Sequence, residues 1–298
     1  MNSDIFQKNV AILAKVSEEE ERIVPDTDCP LPSVEALRTI VELVKVIVFP
    51  GFFDKRQTDG NMRSYHIGVN MEQLFVLLKQ QIEQALVFGK NDGGEEASED
   101  SHTMTLTFID RLPEIKRLLY TDVDAIFNDD PSVGNYSEVI FCYPVVEAMI
   151  HYRVAHELLV MDIPVIPRII TEQAHAKTGI DIHPGAKIGE YFSIDHGTGV
   201  VIGETCVIGN HVTLYQGVTL GAKNYKLESY GHPIDIPRHP ILEDNVTVYS
   251  NSTLLGRITI GHDAVIGGNI WITNSVPAHS KILQSKALDV SFIGGLGI

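Results

Sequence analysis

The stretch GIDIHPGAKIGEYFSIDHGTGVVIGETCVIGNHVTLYQGVTLG, residues 179–221, repeats an apolar residue at nearly every sixth position. This period matches neither the turn of an α-helix nor the alternation of a simple strand, and it predicts a hexapeptide β-solenoid. In such a solenoid, three short strands form one triangular coil of about eighteen residues, and inward apolar residues stack from coil to coil. We call these residues the anchors. They are Ile182, Ile188, Ile194, Ile202, Ile208, Leu214, Leu220, Leu242, Val248, Leu254, Ile260, Ile266 and Ile272.

The repeat is interrupted at two places. Its phase slips by two residues around DHGTG (195–199), and it stops over AKNYKLESYGHPIDIPRHPI (222–241). Long loops on a rigid repetitive scaffold are usual carriers of function, so we expect the second segment to be extruded from the solenoid. Glycine follows several anchors, as at Gly203, and we expect these glycines to occupy tight corners.

The residues before the repeat have helical periodicity. We expect the polar, acidic segment 89–102 to be a solvated loop, and Pro113 to break or restart a helix. The predicted helical segments are 34–49, 71–88, 104–127 and 137–160.

The two periodicities predict an α+β fold. An N-terminal α-helical domain spans residues 1–178, a left-handed parallel β-helix spans 179–278, and a C-terminal tail spans 279–298.

Composition excludes several classes of protein. The chain has 298 residues and a formal net charge of −16, so we expect no binding to nucleic acid or to an anionic membrane surface. The sequence predicts neither a transmembrane helix nor a signal peptide. Cys29, Cys142 and Cys206 are scattered, which predicts neither a disulfide framework nor a zinc site and favours a reducing, cytoplasmic location.

Polar residues that a solenoid does not need accompany the interruptions. A histidine can take a proton from a hydroxyl, while a carboxylate, Asp181 or Asp195, fixes its tautomer. An arginine can bind a substrate carboxylate through paired N–H donors. Because one coil offers only a shallow surface, we expect a site in the groove between subunits of a trimer. The residues are Asp181, Asp195, His196, Arg238 and His239.

Two other interpretations stay open at this point. The His–Asp and Arg–His pairs are also compatible with hydrogen-bonded structural features of the surface. A zinc site of the kind found in trimeric, carbonic-anhydrase-like solenoids would need three histidines to converge. The available residues are His196, His211 and His239.

The ordered motifs DIHP, IDHGTG, VIGET, QGVTLG and RHP, with the helical stretch NDDPSVGNYSEVIFCYPVVEAMIHYRVAHEL before them, resemble serine O-acetyltransferases of the hexapeptide-repeat acyltransferase family. The resemblance covers roughly residues 120–278. It implies acetyl transfer from acetyl-CoA, the co-substrate, to the hydroxyl of L-serine, giving O-acetyl-L-serine and CoA for cysteine biosynthesis. It implies no metal.

The resemblance also implies roles for individual residues. His196 matches the catalytic base and Asp181 its partner carboxylate. Asp195, Arg238, His239 and, from the helical domain, Asp130 match residues that hold serine. Acetyl-CoA is expected near Gly221 and Ala222.

Partners follow from the same resemblance. It implies a homotrimer of solenoids, which the helical domains join into a hexamer, and inhibition by L-cysteine at the serine site. The terminal Ile298 resembles the tail that enters O-acetylserine sulfhydrylase. The alternatives are another acyl-CoA-dependent O-acyltransferase, acting on homoserine or a sugar, and a non-catalytic scaffold that binds a sulfhydrylase through its tail.

Overall fold

The structure is a computed structural model that describes residues 2–18, 20, 31–53, 60–89, 94–223 and 236–285. Helices precede strands along the chain, as the change of periodicity predicts. The helices within the described residues are α1 (Asn2–Leu13), α2 (Val34–Val48), α3 (Gly60–Gly89), α4 (Gly94–Asp129), α5 (Tyr136–Cys142), α6 (Pro144–Val160) and α7 (Ile166–Thr178). None of them has both the length and the apolar composition needed to cross a lipid bilayer.

Short parallel strands then form three sheets. Sheet A contains β1 (Asp181–Ile182), β4 (Val201–Ile202), β7 (Thr219–Gly221), β10 (Thr253–Leu255) and β13 (Trp271–Ile272). Sheet B contains β2 (Lys187–Ile188), β5 (Val207–Ile208), β8 (Ile241–Leu242) and β11 (Thr259–Ile260). Sheet C contains β3 (Ser193–Asp195), β6 (Thr213–Tyr215), β9 (Thr247–Val248), β12 (Val265–Ile266) and β14 (Lys281–Ile282).

Each coil passes from sheet A to sheet B to sheet C and then back to sheet A, so it has three corners. The AB corner comprises 183–186, 203–206, 236–240 and 256–258. The BC corner comprises 189–192, 209–212, 243–246, 261–264 and 277–280. The CA corner comprises 196–200, 216–218, 249–252 and 267–270.

The anchors form the core of the solenoid, which confirms the predicted parallel β-helix. Every anchor is buried, with at most 8% of its surface exposed. Their stacking follows the strand register, as where Ile202 lies between Ile182 and Leu220. Ile182 and Ile202 are twenty residues apart, whereas Leu254 and Ile272 are eighteen apart. The slip in the sequence is therefore absorbed by a longer CA corner in the first coil.

The chain leaves the coil after β7 and re-enters it at β8. Because Ile241 pairs directly with Val207 of the preceding coil, the sheet B ladder is continuous across this insertion. Residues 224–235 lie outside the described part. At the other end, β14 pairs with β12, so the coil continues past residue 278 into the segment predicted as a tail.

Helix α4 corrects two predictions. It runs without interruption through Pro113, which was expected to break or restart the helix. Pro113 lies on the exposed side of α4, where water can reach the carbonyl that lacks an amide partner, while Leu112 and Ile115 stay buried. The helix also begins at Gly94, so most of the predicted loop 89–102 is helical. Ala97 and Ser101, spaced by four residues, pack inward.

A buried ion pair joins the helical part to the first coil. The guanidinium of Arg153 on α6 donates two hydrogen bonds of 3.0 and 3.2 Å from Nη2 to the two carboxylate oxygens of Asp122 on α4. The same guanidinium donates to the carbonyls of Ile188 and Gly189, at 2.7 and 2.6 Å. Both charged side chains are at most 5% exposed. The pair therefore fixes the end of α4 relative to the solenoid.

Candidate active site

His196 lies at the CA corner, in the turn that follows β3. Its backbone φ of 59° is in the left-handed region, which histidine tolerates better than most residues. A Cβ on the adjacent Gly197 would lie 2.5 Å from Cδ1 of Ile180, so this turn requires glycine there. The His196 side chain is 73% exposed, and its Nδ1 is 3.8 Å from Oδ1 of Asp195. The slip in the repeat thus presents a histidine beside a carboxylate.

The helical part adds a second carboxylate, that of Asp130, which directly follows α4. Its Oδ1 accepts hydrogen bonds of 2.8 and 2.7 Å from the amide and hydroxyl of Ser132, and its Oδ2 accepts one from the hydroxyl of Tyr143. These donors, Tyr143 foremost, hold the pKa of Asp130 below its ordinary value, and the nearby His196 acts in the same direction. Asp130 is therefore an ionised group within electrostatic reach of His196.

The neighbouring Asp129 has a different role. Its Oδ2 accepts hydrogen bonds from the hydroxyls of Ser193 and Thr213, the latter at 3.0 Å. These bonds attach the end of α4 to sheet C. Of the two adjacent carboxylates, Asp129 is thus committed to the contact between helix and solenoid, and Asp130 remains beside His196.

Arg238 and His239 lie at the AB corner, where the chain returns from the insertion. The guanidinium of Arg238 pairs with the carboxylate of Glu204. The Nδ1 of His239 accepts a hydrogen bond of 3.1 Å from the amide of Thr205. A Cβ on Gly203 would lie 2.2 Å from Nε2 of His239, so Gly203 provides room for the ring rather than an unusual backbone angle.

His239 is neutral in the folded chain. Burial, followed by the neighbouring charge of Arg238, lowers its pKa to about 4. Because Nδ1 accepts the amide hydrogen of Thr205, the ring proton is on Nε2. His239 is therefore a hydrogen-bond donor beside a guanidinium, a combination that suits a carboxylate ligand.

Asp181 lies on β1, between these two corners. Its Oδ1 is 3.7 Å from Nη1 of Arg168 on α7, and it forms this ion pair rather than one with His196. Burial lowers the pKa of His183 at the AB corner, while the charges of Glu204 and Asp181 act in the opposite direction. Within one chain, Asp181 is thus associated with the AB corner, and Asp195 is the carboxylate adjacent to His196.

Comparison with known proteins assigns the family. The chain is 44% identical over 283 residues to the protein named "Serine acetyltransferase, plasmid" of Synechococcus elongatus, covering 93% of this chain and 89% of that protein. The chain belongs to the serine acetyltransferase family. Membership makes it an enzyme of the acyltransferase class, as the sequence predicts.

Other serine acetyltransferases are also similar to this chain in sequence and in structure. The serine acetyltransferase of Bacillus licheniformis is 43% identical over 167 residues, which cover 56% of this chain and 74% of that protein. The crystal structure of Entamoeba histolytica serine acetyltransferase 1 in complex with L-cysteine superposes with a TM-score of 0.72 at 35% identity, covering 83% of this chain and 86% of that one. No model of a known protein family matches the chain.

Within one chain of this serine acetyltransferase family member, the three histidines of the zinc hypothesis do not converge. His196 lies at the CA corner, His211 at the BC corner and His239 at the AB corner, so the three rings are at different vertices of the triangular coil. His211 instead stacks on Tyr191, with ring centroids 4.4 Å apart.

The predicted coenzyme residues lie at the AB corner with Arg238. Gly221 ends β7, and Ala222 is the first residue of the insertion. Both are partly exposed at the surface. A Cβ on Gly221 would lie 2.9 Å from Cδ2 of Leu255, so the adjacent strand leaves little space for a side chain.

Sequence reasoning missed several residues of this site. His183 and Glu204 lie in the quoted motifs DIHP and VIGET, but the repeat gave no reason to separate them from structural positions. Tyr143 and Ser132 are found only through the hydrogen bonds that they donate to Asp130. A cavity of about 910 Å³ lies between α2, α6 and α7 and contains none of the predicted site residues.

Proposed function

We propose that this enzyme transfers the acetyl group of acetyl-CoA to the hydroxyl of L-serine, giving O-acetyl-L-serine and CoA, the first step of cysteine biosynthesis from serine. The observation that carries the proposal is the set of groups at the two corners. One corner has a histidine beside carboxylates, and the other has a guanidinium beside a neutral N–H donor. These groups complement the hydroxyl, ammonium and carboxylate of an amino acid.

His196 is the proposed general base. It removes the proton of the serine hydroxyl as the oxygen attacks the thioester carbonyl of acetyl-CoA. The carbon–sulfur bond of the tetrahedral intermediate then breaks, and the imidazolium returns the proton to the departing thiolate of CoA. The exposure of His196 in one chain supports this role, since a buried base could not reach a substrate in a groove. These steps use no metal.

Serine binding uses the charged groups around the base. We assign the substrate ammonium to Asp130 and Asp195, which are anionic neighbours of His196. We assign the carboxylate to Arg238 and to the Nε2–H of His239. A sugar acceptor has no carboxylate for Arg238, so this pairing favours an amino acid over a sugar.

The site is proposed to form between two copies of the chain. His196 and Arg238 lie at different corners of the coil, so each corner alone offers only half of a serine site. A symmetric ring of solenoids brings unlike corners of neighbouring copies together. Asp181, associated with the AB corner, would then orient His196 of the adjacent copy. Acetyl-CoA would bind along the same groove, near Gly221 and Ala222.

The same groove has consequences for the assembly and the regulation of the enzyme. We propose a homotrimer, or a dimer of trimers joined through the helical domain, that works in the cytoplasm. L-Cysteine would compete for the serine site, which is supported by the L-cysteine complex of the similar Entamoeba histolytica protein. The predicted sulfhydrylase-binding tail ends at Ile298, which lies outside the described residues.

The test is release of CoA from acetyl-CoA in the presence of L-serine. His196→Asn, which tolerates the left-handed backbone, should reduce the rate by about 10²-fold or more, the usual contribution of a positioned base. His211→Asn, another left-handed corner residue with φ of 55°, should retain the wild-type rate. Serinol, which lacks the carboxylate, should be a poor acceptor. If homoserine or a sugar drives CoA release and serine does not, the substrate assignment is wrong. If no acceptor drives CoA release, the non-catalytic scaffold replaces the acetyltransferase as the proposed function.

A further inference from the structure

Three potential metal ligands converge at the BC corner of the last coils. They are His262, Asp263 and His279, and their donor atoms all lie within 4.8 Å of one another. The Oδ2 of Asp263 is 2.7 Å from Nδ1 of His262 and 3.3 Å from Nδ1 of His279. All three side chains are exposed, so an ion could enter from solvent.

The backbone holds these residues in place. The amide of His279 donates to the carbonyl of His262 at 2.8 Å, and the amide of Asp263 donates to the carbonyl of Asp244 at 3.0 Å. Asp263 and His279 both have φ of 59° and occupy equivalent positions in successive coils. The side-chain amide of Asn245 donates to Oδ1 of Asp263 at 3.0 Å, which leaves Oδ2 directed at the histidines. The cluster is therefore largely preorganised.

We propose that His262, Asp263 and His279 form a binding site for a divalent transition metal, with Zn²⁺ as its best match. Two imidazoles and one carboxylate are common zinc ligands, and a fourth position would be open to water. Ligands at 2.0–2.1 Å in a tetrahedron are separated by about 3.3 Å, which is the spacing of His279 and Asp263. His262 lies closer to Asp263, and its ring must move away by about half an ångström to reach the same spacing.

The surroundings favour a cation. Glu243 accepts a hydrogen bond of 2.9 Å from the amide of His262, and Asp244 also lies near this corner. These carboxylates concentrate divalent cations at the surface. A second group of potential ligands, comprising Glu172, His175 and Asp181, differs because Arg168 already pairs with both of its carboxylates. A guanidinium there supplies the positive charge that a metal would bring.

A bound ion would connect two consecutive coils. His262 and Asp263 belong to the turn between β11 and β12, and His279 belongs to the turn before β14. The last coil is otherwise attached through the pairing of β13 with β10, the pairing of β14 with β12 and an isolated bridge between Ile260 and Val276. Binding to the folded state alone should therefore raise the melting temperature.

The experiment is equilibrium dialysis of the untagged full chain against Zn²⁺, followed by Co²⁺ absorption spectroscopy to report coordination geometry. The variants are His262→Gln and His279→Asn, since asparagine tolerates the left-handed backbone. The matched control is His211→Asn, two coils away on the same corner. A further variant, Asn245→Gly, suits the left-handed backbone at this position (φ of 61°), removes the amide that supports Asp263 and should weaken binding about tenfold.

The expected result is one zinc ion per chain in the wild type and in the His211 control, with a tetrahedral cobalt spectrum and a raised melting temperature. Both ligand variants should lose binding and the thermal shift while keeping the wild-type circular dichroism. The proposal is overturned if the wild type binds no zinc or if His279→Asn binds zinc as tightly as the wild type. It is also overturned if the His211→Asn control loses zinc to the same extent as the ligand variants.

Discussion

The hydroxyl of Tyr143, at the junction of α5 and α6, donates a hydrogen bond to Oδ2 of Asp130, at the end of α4. This bond crosses between two helices and fixes a carboxylate near the exposed His196. It also raises the pKa of Tyr143, because the bond and the charge of Asp130 favour the protonated phenol. Tyr143 is thus a positioning residue for a group that we assign to the serine ammonium.

Replacing Tyr143 by phenylalanine should weaken serine binding. A hydrogen bond to a charged group contributes about 1.5–3 kcal/mol, so we expect KM for L-serine to rise on the order of tenfold or more. KM for acetyl-CoA should remain unchanged. The control is Tyr136→Phe, whose hydroxyl donates to Asp124 at 2.7 Å, away from the base. Steady-state kinetics with each substrate varied in turn measures the two KM values separately. An equal rise in both would contradict the assignment of Tyr143 as a positioning residue for serine binding.

The buried ion pair between Asp122 and Arg153 should dominate the contact between the helical part and the solenoid. Asp122→Ala leaves a buried guanidinium without its counter-ion, which should lower the free energy of unfolding by about 3–5 kcal/mol. Chemical denaturation measures this loss. Arg117→Ala removes an exposed pair with Glu114 and Glu190 and should have little effect. Equal effects of the two substitutions would show that the buried pair has no special importance.

His239 should make stability depend on pH. Its pKa of about 4 in the folded chain lies below the ordinary value of 6.5, so between these values the unfolded chain binds more protons. Stability therefore falls as the pH decreases from 6.5 towards 4. In His239→Asn, whose carbonyl can still accept from Thr205, the denaturation midpoint should fall less over this window. An unchanged pH dependence would show that other groups control it.

The solenoid was predictable because its signal is repetitive. Each anchor, such as Leu214 or Ile260, occupies the same inward-facing position of its coil. The repeat can therefore be recognised even where single positions depart from it. The helical part has no such redundancy. Pro113 was expected to interrupt α4, but burial of its neighbours outweighs the local cost of one missing hydrogen bond.

The site was only partly predictable. His196 and Arg238 stand out because they lie where the repeat fails, and the motifs imply their roles. Their separation at different corners depends on how the coil closes, which the linear sequence does not show. The support of Asp130 by Tyr143 joins residues thirteen positions apart across a helix end, and it depends on the packing of α4 against α5 and α6.

The shared site is tested most directly by combining two inactive variants. We would co-express His196→Asn and Arg238→Ala chains with different tags and purify the mixed assemblies. If one copy supplies His196 and its neighbour supplies Arg238, one groove in each purified mixed trimer, about a third of the grooves, contains both intact groups. CoA release with L-serine should recover to about that fraction of the wild-type rate. Recovery should be absent when the Arg238→Ala chain also carries His196→Asn. Mixed assemblies as inactive as either parent would contradict a site shared between copies.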